Sequence, residues 1–366
     1  MQVTAQTFSR QGASHMVILG TGGTIAGRAT SANDNIGYTA AQVTVAQLIA
    51  DVPGLQGLAL HTEQVAQLDS KDMTFAVWQD LLGRVVHFLE QDDVDSIVIT
   101  HGTDTLEETA FFLHAALVDS GLLTKPVVLT CAMRPATSQS PDGPQNLLDA
   151  VAVARNPARS GVTVVCAGVV HGAVAVQKMH NYRLDAFSSG ETGTLGWVEE
   201  GQVRWAREVS PNQPTVHFGY SSSAIEKIVA MVNWPRVEIV LNHTGADGWL
   251  VDLLLKERAL GFTITPGVTH HDLLQGLVVA GTGNGTVHAD LLAALSRAEA
   301  AGVRVWRTSR CAFGQIVGSQ IIPAINTPRE PQEPKVTEGD NLLCASSLSP
   351  VKARIAMALA LLNEAA

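Results

Sequence analysis

The chain has 366 residues and a formal net charge of −10 at neutral pH, from 24 basic and 34 acidic side chains. This negative charge disfavours a nucleic-acid or anionic-membrane partner held by bulk electrostatics, so a small molecule is the expected partner. Charged residues make up 16% of the chain, below the roughly 25% of typical domains, which excludes a disordered acidic tail or a coiled coil.

The first fifteen residues are polar and contain no apolar core of a secretion signal. We therefore expect a loose N-terminal extension at residues 1–15 and a cytoplasmic protein. The most apolar stretch, residues 162–176, is interrupted by glycine, threonine and histidine, whereas a membrane-spanning helix needs about 20 mostly apolar residues. The four cysteines lie far apart without metal-binding or redox spacing, and we expect free thiols.

Short apolar runs bounded by Gly, Thr or Asp recur in the first half of the chain. Their continuity, without alternation of polar and apolar residues, is typical of strands buried on both faces of a parallel sheet. Stretches with helical spacing of apolar residues lie between these runs, and the alternation predicts a doubly wound α/β domain. The predicted strands are residues 16–20, 96–100, 127–130 and 162–166.

A β-hairpin is predicted at residues 195–205, where two apolar arms flank a Glu-Glu-Gly turn before a loop rich in Pro and Asn. We place the domain boundary after it. The prediction is a large, mainly parallel α/β domain at residues 16–208, a linker at 209–235 and a smaller C-terminal α/β domain at 236–366. The last helix is expected to begin after Ser349, because a serine N-cap followed by proline favours a helix start.

Two unusual turns follow predicted strands, at the sheet edge where open parallel sheets bind their ligands. The run TGGTIAG lies at residues 21–27, and THGTDT lies at residues 100–105. A dinucleotide-binding GxGxxG fingerprint needs glycine where Ile25 stands, and no GK[ST] of a phosphate-binding loop follows. The GxSxG and HExxH motifs are also missing from the sequence, which removes the common serine hydrolase and zinc protease classes.

The remaining candidates for chemistry are hydroxyls and one acid. Thr24 lies beyond two glycines, which let a backbone approach a substrate closely. A threonine hydroxyl is a weak nucleophile that needs a base, and a lysine with a pKa lowered by burial can provide one. Thr103 beside Asp104, at a helix start, can relay a proton from such a lysine. The spacing of these residues is equally consistent with a structural role, in which the threonines only cap helices and make hydrogen bonds within turns.

The runs TGGTIA at residues 21–26 and HGTDTLEET at residues 101–109 resemble the two signature motifs of the bacterial-type L-asparaginase/glutaminase family. This resemblance implies hydrolysis of L-asparagine to L-aspartate and ammonia through a threonine acyl-enzyme, with L-glutamine slower and without a cofactor. It also implies that the large domain is the catalytic one. The similarity extends over nearly the whole chain from residue 16, through residues 70–73, 132–135, 142–147, 281–285 and 349–354.

The resemblance assigns the first group of site residues by their position in the motifs. Thr24 matches the nucleophile. Tyr38 matches the tyrosine that assists its hydroxyl, and it lies in a polar loop at residues 28–38 that resembles a flexible lid. Ser70 matches the residue that holds the substrate α-carboxylate.

A second group is implied in the same way. Thr103, Asp104 and Lys178 match a cluster in which the lysine tunes the threonine and the aspartate also binds the substrate α-amino group. The apolar segment at residues 168–176 supports the role of Lys178, because partial burial favours a neutral amine. Backbone amides near the Gly23 and Gly102 turns are candidates for stabilising an oxyanion.

Two departures from the family pattern concern the substrate. Lys71 stands where many relatives carry glutamine beside the carboxylate-binding serine. In many relatives an acidic residue after a Ser-Arg pair reaches into a neighbouring active site. Here residues 311–320 contain no acid, and Glu330, Glu333 and Glu338 cannot be assigned to that role. The preference between asparagine and glutamine is therefore open.

The resemblance also implies an assembly, since relatives are usually tetramers of intimate dimers. We expect a homotetramer in which a neighbouring subunit completes the site, with Thr286 as the residue contributed across the interface. Adjacent His270 and His271 invite a metal site, but adjacent residues do not share one face of a helix or strand, so no metal is expected.

Two other classes of protein remain as alternatives. A non-catalytic protein that binds or senses acidic amino acids or their amides fits the same fold, but Thr24, Thr103, Asp104 and Lys178 together argue against it. The amidase subunit of a tRNA-dependent amidotransferase resembles the same family. That subunit is expected to carry a further N-terminal domain, for which the residues before the first predicted strand leave no room.

Overall fold

A computed structural model describes residues 14–156, 161–206, 220–260, 273–317, 343–344 and 348–364. The predicted extension at residues 1–15 lies outside these ranges except for its last two positions. The described helices are α1 (Val45–Ala50), α2 (Phe75–Leu89), α3 (Leu106–Leu117), α4 (Gly143–Ala154), α5 (Ser222–Val229), α6 (Trp249–Leu260), α7 (Ala289–Ala300) and α8 (Pro350–Glu364). The described strands are β1 (His15–Gly22), β2 (Leu60–Leu68), β3 (Val94–Thr100), β4 (Pro126–Thr130), β5 (Gly161–Cys166), β6 (Val169–Gly172), β7 (Gln177–Lys178), β8 (Phe187–Ser188), β9 (Gly196–Glu199), β10 (Gln202–Trp205), β11 (Arg236–Leu241), β12 (Leu274–Gly281), β13 (Arg304–Ser309) and β14 (Leu343–Cys344).

The first half of the chain folds around one large sheet, whose described strands lie in the order β10-β9-β6-β5-β4-β3-β1-β2. Strands β2, β1, β3, β4 and β5 are parallel to one another. Strands β6, β9 and β10 extend the sheet in antiparallel pairing. The apolar side chains of β1, β3 and β4 are buried almost throughout, because helices cover both faces of this parallel region. The prediction of a large, mainly parallel α/β unit is confirmed.

The second half forms a separate parallel sheet in the order β11-β12-β13-β14. Helices α6 and α7 pack on one face of this sheet around Leu277 and Val279, and α8 packs on the other face around Val278. Helix α8 also packs against α3 of the first half, so one apolar core continues from the large sheet to the small one. The predicted smaller C-terminal α/β unit is confirmed.

Helix α5 lies inside the range that was predicted to be a linker. Its buried Ile225 and Ile228 join the main core. The Gln79 side chain on α2 donates hydrogen bonds to the carbonyls of Ile228 and Met231, each at 2.7 Å, which satisfies the C-terminal end of α5. The second half of the predicted linker is therefore packed structure.

No helix among the described residues is long and apolar enough to cross a membrane.

Candidate active site

Two turns rich in glycine and threonine meet at the carboxyl end of the large sheet. Strands β1 and β3 are parallel neighbours with Gly20 opposite Thr100, so the turns that follow them leave the sheet side by side. The backbone of Gly23 packs directly on that of Gly102. This contact brings together the two turns that carry Thr24 and Thr103, at the edge where open α/β sheets bind ligands.

Thr24 and Tyr38 form the first hydroxyl pair of the site. Thr24 is 7% exposed, and its Oγ1 lies 2.6 Å from the Tyr38 phenol oxygen. The loop that carries Tyr38 is tied back by backbone hydrogen bonds between Arg28 and Thr39, and the tyrosine ring packs on Gly27. Burial raises the pKa of the Tyr38 phenol, although the hydrogen bond to Thr24 lowers it. The phenol is therefore protonated at neutral pH, and either hydroxyl can donate.

Lys178, Thr103 and Asp104 form the second cluster. The Lys178 Nζ donates to Thr103 Oγ1 at 2.7 Å and to Asp104 Oδ1 at 2.6 Å. The lysine lies on β7, which pairs with β8 in a short ribbon, and its side chain is only 17% exposed. Its backbone N–H donates to Glu107 Oε2 at 2.6 Å. A largely buried amine that contacts a threonine hydroxyl is an arrangement that can activate a nucleophile.

Ser70 lies beside this second cluster, in the turn that follows β2. Its Oγ accepts a hydrogen bond from the Asp104 N–H at 3.2 Å, and its carbonyl accepts from Thr105 Oγ1 at 2.8 Å. Neighbouring Lys71 is exposed and forms an ion pair with Asp72. The predicted site residues of the large domain are thus brought together from separate parts of the chain.

One backbone amide near the Gly23 and Gly102 turns is already engaged in a hydrogen bond, and the other amides near these turns stay candidates for stabilising an oxyanion. The Gly23 N–H donates to the Leu68 carbonyl at 2.9 Å, at the end of β2. This donor closes the turn onto the neighbouring strand and is not available to stabilise an oxyanion.

A buried polar chain beneath the Gly102 turn was not predicted from the sequence. His101 is fully buried, and its Nδ1 lies 2.7 Å from the Gly102 carbonyl, so Nδ1 carries the proton and donates. Its Nε2 then accepts from Thr109 Oγ1 at 2.9 Å, and Thr109 accepts from Trp78 Nε1 at 2.8 Å. Burial lowers the pKa of His101 to about 4. The neutral ring fixes the turn that presents Thr103, and the only sequence signal for it was its place in the motif.

The segment after β4 is fixed by one carboxylate. Asp142 accepts backbone N–H bonds from Met133 and Arg134, each at 2.9 Å. Ile25, next to Thr24, packs against Gly143 and Ala132. The stretches at residues 132–135 and 142–147, which also carry the family resemblance, therefore support the turn that carries Thr24.

Several other expectations concern residues away from this cluster. Thr286 bonds to Thr282 through both backbone and hydroxyl groups, with 2.9 Å between the two Oγ1 atoms. In the parts of the chain that the structure describes, no group of three or more His, Cys, Asp or Glu side chains could hold a metal ion. His270, His271, Glu330, Glu333 and Glu338 lie outside the described residues.

Both halves of the chain are similar to known proteins. Residues 15–211 match the model of the asparaginase N-terminal domain, and residues 236–365 match that of the glutaminase/asparaginase C-terminal domain. A glutaminase-asparaginase of Pseudomonas aeruginosa is 36% identical over 96% of this chain and 87% of its own length. A probable periplasmic L-asparaginase of Haemophilus influenzae is 34% identical over 95% of this chain and 88% of its own length.

A solved structure is similar over the whole fold. The probable cytoplasmic L-asparaginase of Campylobacter jejuni superposes with a TM-score of 0.77 at 32% identity, covering 95% of both chains. Both halves of the chain match their family models, and relatives above 30% identity align along nearly all of it. The chain therefore belongs to the asparaginase family.

Proposed function

We propose that this protein is an L-asparaginase that hydrolyses L-asparagine to L-aspartate and ammonia, with weaker activity on L-glutamine. The observation that carries the proposal is the pairing of two activated hydroxyls on touching turns, Thr24 with Tyr38 and Thr103 with Lys178. The chemistry uses side chains alone, without metal or cofactor. The names of the relatives, which include L-asparaginases and glutaminase-asparaginases, support the same substrate class.

In the proposed acylation step, Thr24 Oγ1 attacks the side-chain amide carbon while its proton leaves through the hydrogen bond to Tyr38. The carbon–nitrogen bond then breaks as the nitrogen gains a proton, and ammonia leaves. Water then attacks the resulting ester carbon, the bond from that carbon to Thr24 Oγ1 breaks as this oxygen takes a proton from the water, and L-aspartate is released. Lys178 binds the Thr103 hydroxyl and adjusts its reactivity. This hydroxyl exchanges protons with the reacting groups.

The substrate amino acid is held by the groups around Ser70. The Asp104 carboxylate is 54% exposed, and one of its oxygens binds Lys178, so the other can receive the substrate α-ammonium. The Ser70 hydroxyl accepts from the Asp104 N–H and can give its own proton to the α-carboxylate. This arrangement holds the α-ammonium and α-carboxylate groups of an amino-acid substrate.

The test is ammonia release from L-asparagine and L-glutamine, from micromolar to tens of millimolar substrate, by the wild-type protein and the Thr24→Ala variant. Thr124→Ala is a matched control, because Thr124 is an exposed threonine of a distant loop. We expect release that vanishes only in Thr24→Ala. Binding of the amino acids without any release by the wild type would overturn the proposal in favour of the non-catalytic binding protein.

We also propose the homotetramer of intimate dimers, in which a neighbouring subunit completes the site and contributes Thr286. Large apolar side chains exposed on the single chain support an assembly, among them Trp249, Phe313 and Val317. Analytical ultracentrifugation with an activity assay on each species tests this. A fully active monomer would contradict the shared site.

The division into a catalytic domain at residues 16–208 and a second domain at 236–366 is likewise a proposal, supported by the two separate sheets. We further propose a cytoplasmic location, which is supported by the similarity to a Campylobacter jejuni relative named as a probable cytoplasmic L-asparaginase. The Haemophilus relative is named as periplasmic. Cell fractionation of the native organism distinguishes the two locations.

A further inference from the structure

Lys352 is a fully buried lysine that the proposed reaction does not use. It lies in the first turn of α8, in the half of the chain that matches the C-terminal family domain, and its exposed fraction is 0%. A charged ammonium without access to water is costly unless every proton finds a partner. The burial of Lys352 therefore requires hydrogen-bond acceptors within the protein.

All three protons of the Lys352 ammonium point at backbone carbonyls of the other half of the chain. The Nζ donates to the carbonyl oxygens of Ala173, Val174 and Val176, at 3.2 Å and 2.9 Å for the first two and shorter for the third. These carbonyls belong to the turn between β6 and β7. That turn leads directly into Lys178, so the ammonium fixes the backbone from which the active-site lysine projects.

A carboxylate holds the same backbone from another element. Glu107 on α3 accepts the Lys178 N–H at 2.6 Å. Burial raises the pKa of Glu107, whereas the charges of Lys352 and Lys178 lower it. Burial in turn lowers the pKa of Lys352 to about 8, and Glu107 and Glu108 oppose that change. The two buried charges thus depend on each other.

We propose that Lys352 is the positioning residue for Lys178. From the C-terminal helix its ammonium binds backbone carbonyls of residues 173–176, and its positive charge stabilises the Glu107 carboxylate that accepts the Lys178 N–H. This inference rests on the proposed catalytic role of Lys178. Its consequence is that the second half of the chain supplies a buried part of the active site through α8.

Two further ionisable side chains contribute to the electrostatics around Lys352, Glu107 and Glu108. His171 on β6 has its pKa lowered to about 4, first by burial and then by the charge of Lys352, and it is neutral under assay conditions. The charge of Arg354, also on α8, lowers the pKa of Glu108 more than the charge of Lys352 does. Glu107 is therefore the group whose ionisation responds most directly to removal of Lys352.

The experiment compares Lys352→Met, which removes both the charge and the donors, with Lys352→Gln, which removes the charge but keeps an amide donor. Arg304→Met is the control, because it removes a partly buried positive charge that pairs with Glu364 at the far end of α8. The readouts are kcat, KM, the pH profile of kcat/KM, and amide hydrogen exchange of residues 173–178.

We expect Lys352→Met to lower kcat at least about tenfold with little change in KM, since a catalytic group misplaced by 1 Å can cost about 100-fold. Exchange at residues 173–178 should be faster. Without the lysine charge the pKa of Glu107 rises further, so the acidic limb of the profile should move to higher pH in both Lys352 variants. Lys352→Gln should recover part of kcat but not the pH profile.

The outcomes separate this inference from the proposed function. A wild-type protein that releases no ammonia refutes the proposed function, and the hydrogen exchange of residues 173–178 then still tests the structural contact. An active wild type together with wild-type kcat and an unchanged pH profile in Lys352→Met overturns the positioning role. If both Lys352 variants fail to fold, Glu107→Gln decides, because retention of the wild-type acidic limb in that variant overturns the coupling.

Discussion

A Cβ atom on Gly23 would lie 2.3 Å from the Cα of Gly102, so the two turns that carry Thr24 and Thr103 touch through their backbones. Gly23 also has a φ of 80°, which residues with side chains rarely adopt. We expect Gly23→Ala to separate the turns and to reduce ammonia release by at least about 100-fold, the cost of displacing a catalytic group by about 1 Å. Steady-state kinetics with L-asparagine and a thermal melt measure the two effects.

Gly57→Ala is the matched control for this substitution. Gly57 has the same φ of 80° but nothing within 4 Å of an added Cβ. It therefore reports the cost of the left-handed backbone conformation alone, about 1–2 kcal/mol of unfolding free energy, without a steric conflict. Equal effects of Gly23→Ala and Gly57→Ala on activity would mean that the close contact of the two turns does not matter.

The Tyr38 hydroxyl is expected to act in the proton transfer at Thr24, because the two oxygens are 2.6 Å apart. Tyr38→Phe removes this partner while it keeps the ring that packs on Gly27. We expect kcat to fall by roughly 10²–10⁴-fold, the usual contribution of a positioned proton donor or acceptor, with a smaller change in KM. Tyr182→Phe serves as the control, since Tyr182 is 58% exposed. A kcat for Tyr38→Phe equal to that of this control would remove Tyr38 from the mechanism.

The parallel strands that sequence patterns predicted in the large sheet are those with nearly complete burial. Strands β1, β3 and β4 have continuous apolar runs because helices cover both of their faces. Strand β2 was not predicted, since it is an edge strand of half-buried, mixed polarity that pairs only with β1 among the described strands. The end of β2 nevertheless positions Ser70, so the place of this proposed site residue depends on a strand that its own sequence pattern does not reveal.

The site likewise contains features that the sequence predicts and features that it does not. The positions of Thr24 and Thr103 followed from motifs next to predicted strands, but the contact between Thr103 and Lys178 joins residues 75 positions apart. Such a contact is created by tertiary packing and leaves no periodic pattern. The burial of Lys352 was also not predictable, because lysine is almost never fully buried and nothing in the sequence of α8 indicates that its first turn faces carbonyls.

Two buried histidines should make the folded protein less stable as the pH falls below neutrality. Burial lowers the pKa of both His101 and His171 to about 4, from an ordinary value of 6.5. The unfolded chain therefore binds protons that the folded protein does not, so stability is complete above pH 6.5 and is lost as the pH falls towards 4. Each histidine should contribute about 2 kcal/mol to the loss of unfolding free energy between pH 7 and pH 5.

Urea unfolding at these two pH values, with His171→Asn beside the wild type, measures this contribution. The variant should lose about 2 kcal/mol less than the wild type between pH 7 and pH 5. His243→Asn is the control, because His243 is exposed. An identical pH dependence in His171→Asn and the wild type would show that His171 is not held neutral by burial.

Lys178 is expected to act on Thr103 as a base, so its replacement should affect the chemical step more than substrate binding. In Lys178→Met the Thr103 and Asp104 side chains lose their shared donor, which now lies 2.7 Å and 2.6 Å from them. We expect a fall in kcat of roughly 10²–10⁴-fold. Lys256→Met, which changes an exposed lysine on α6, controls for the loss of one positive charge.

A second variant distinguishes a base from a lysine that only orients its neighbours. Lys178→Ala leaves space for a small primary amine, which can take the proton of Thr103 if an amine is all that the step requires. We expect added methylamine or ethylamine to restore part of kcat, with a larger effect at higher pH, where more of the amine is neutral. Near-normal activity of Lys178→Met would refute any role for the lysine. Loss of activity without rescue, together with an unchanged fold, would leave orientation of Asp104 as its function, because an untethered amine can accept a proton but cannot hold a carboxylate in place.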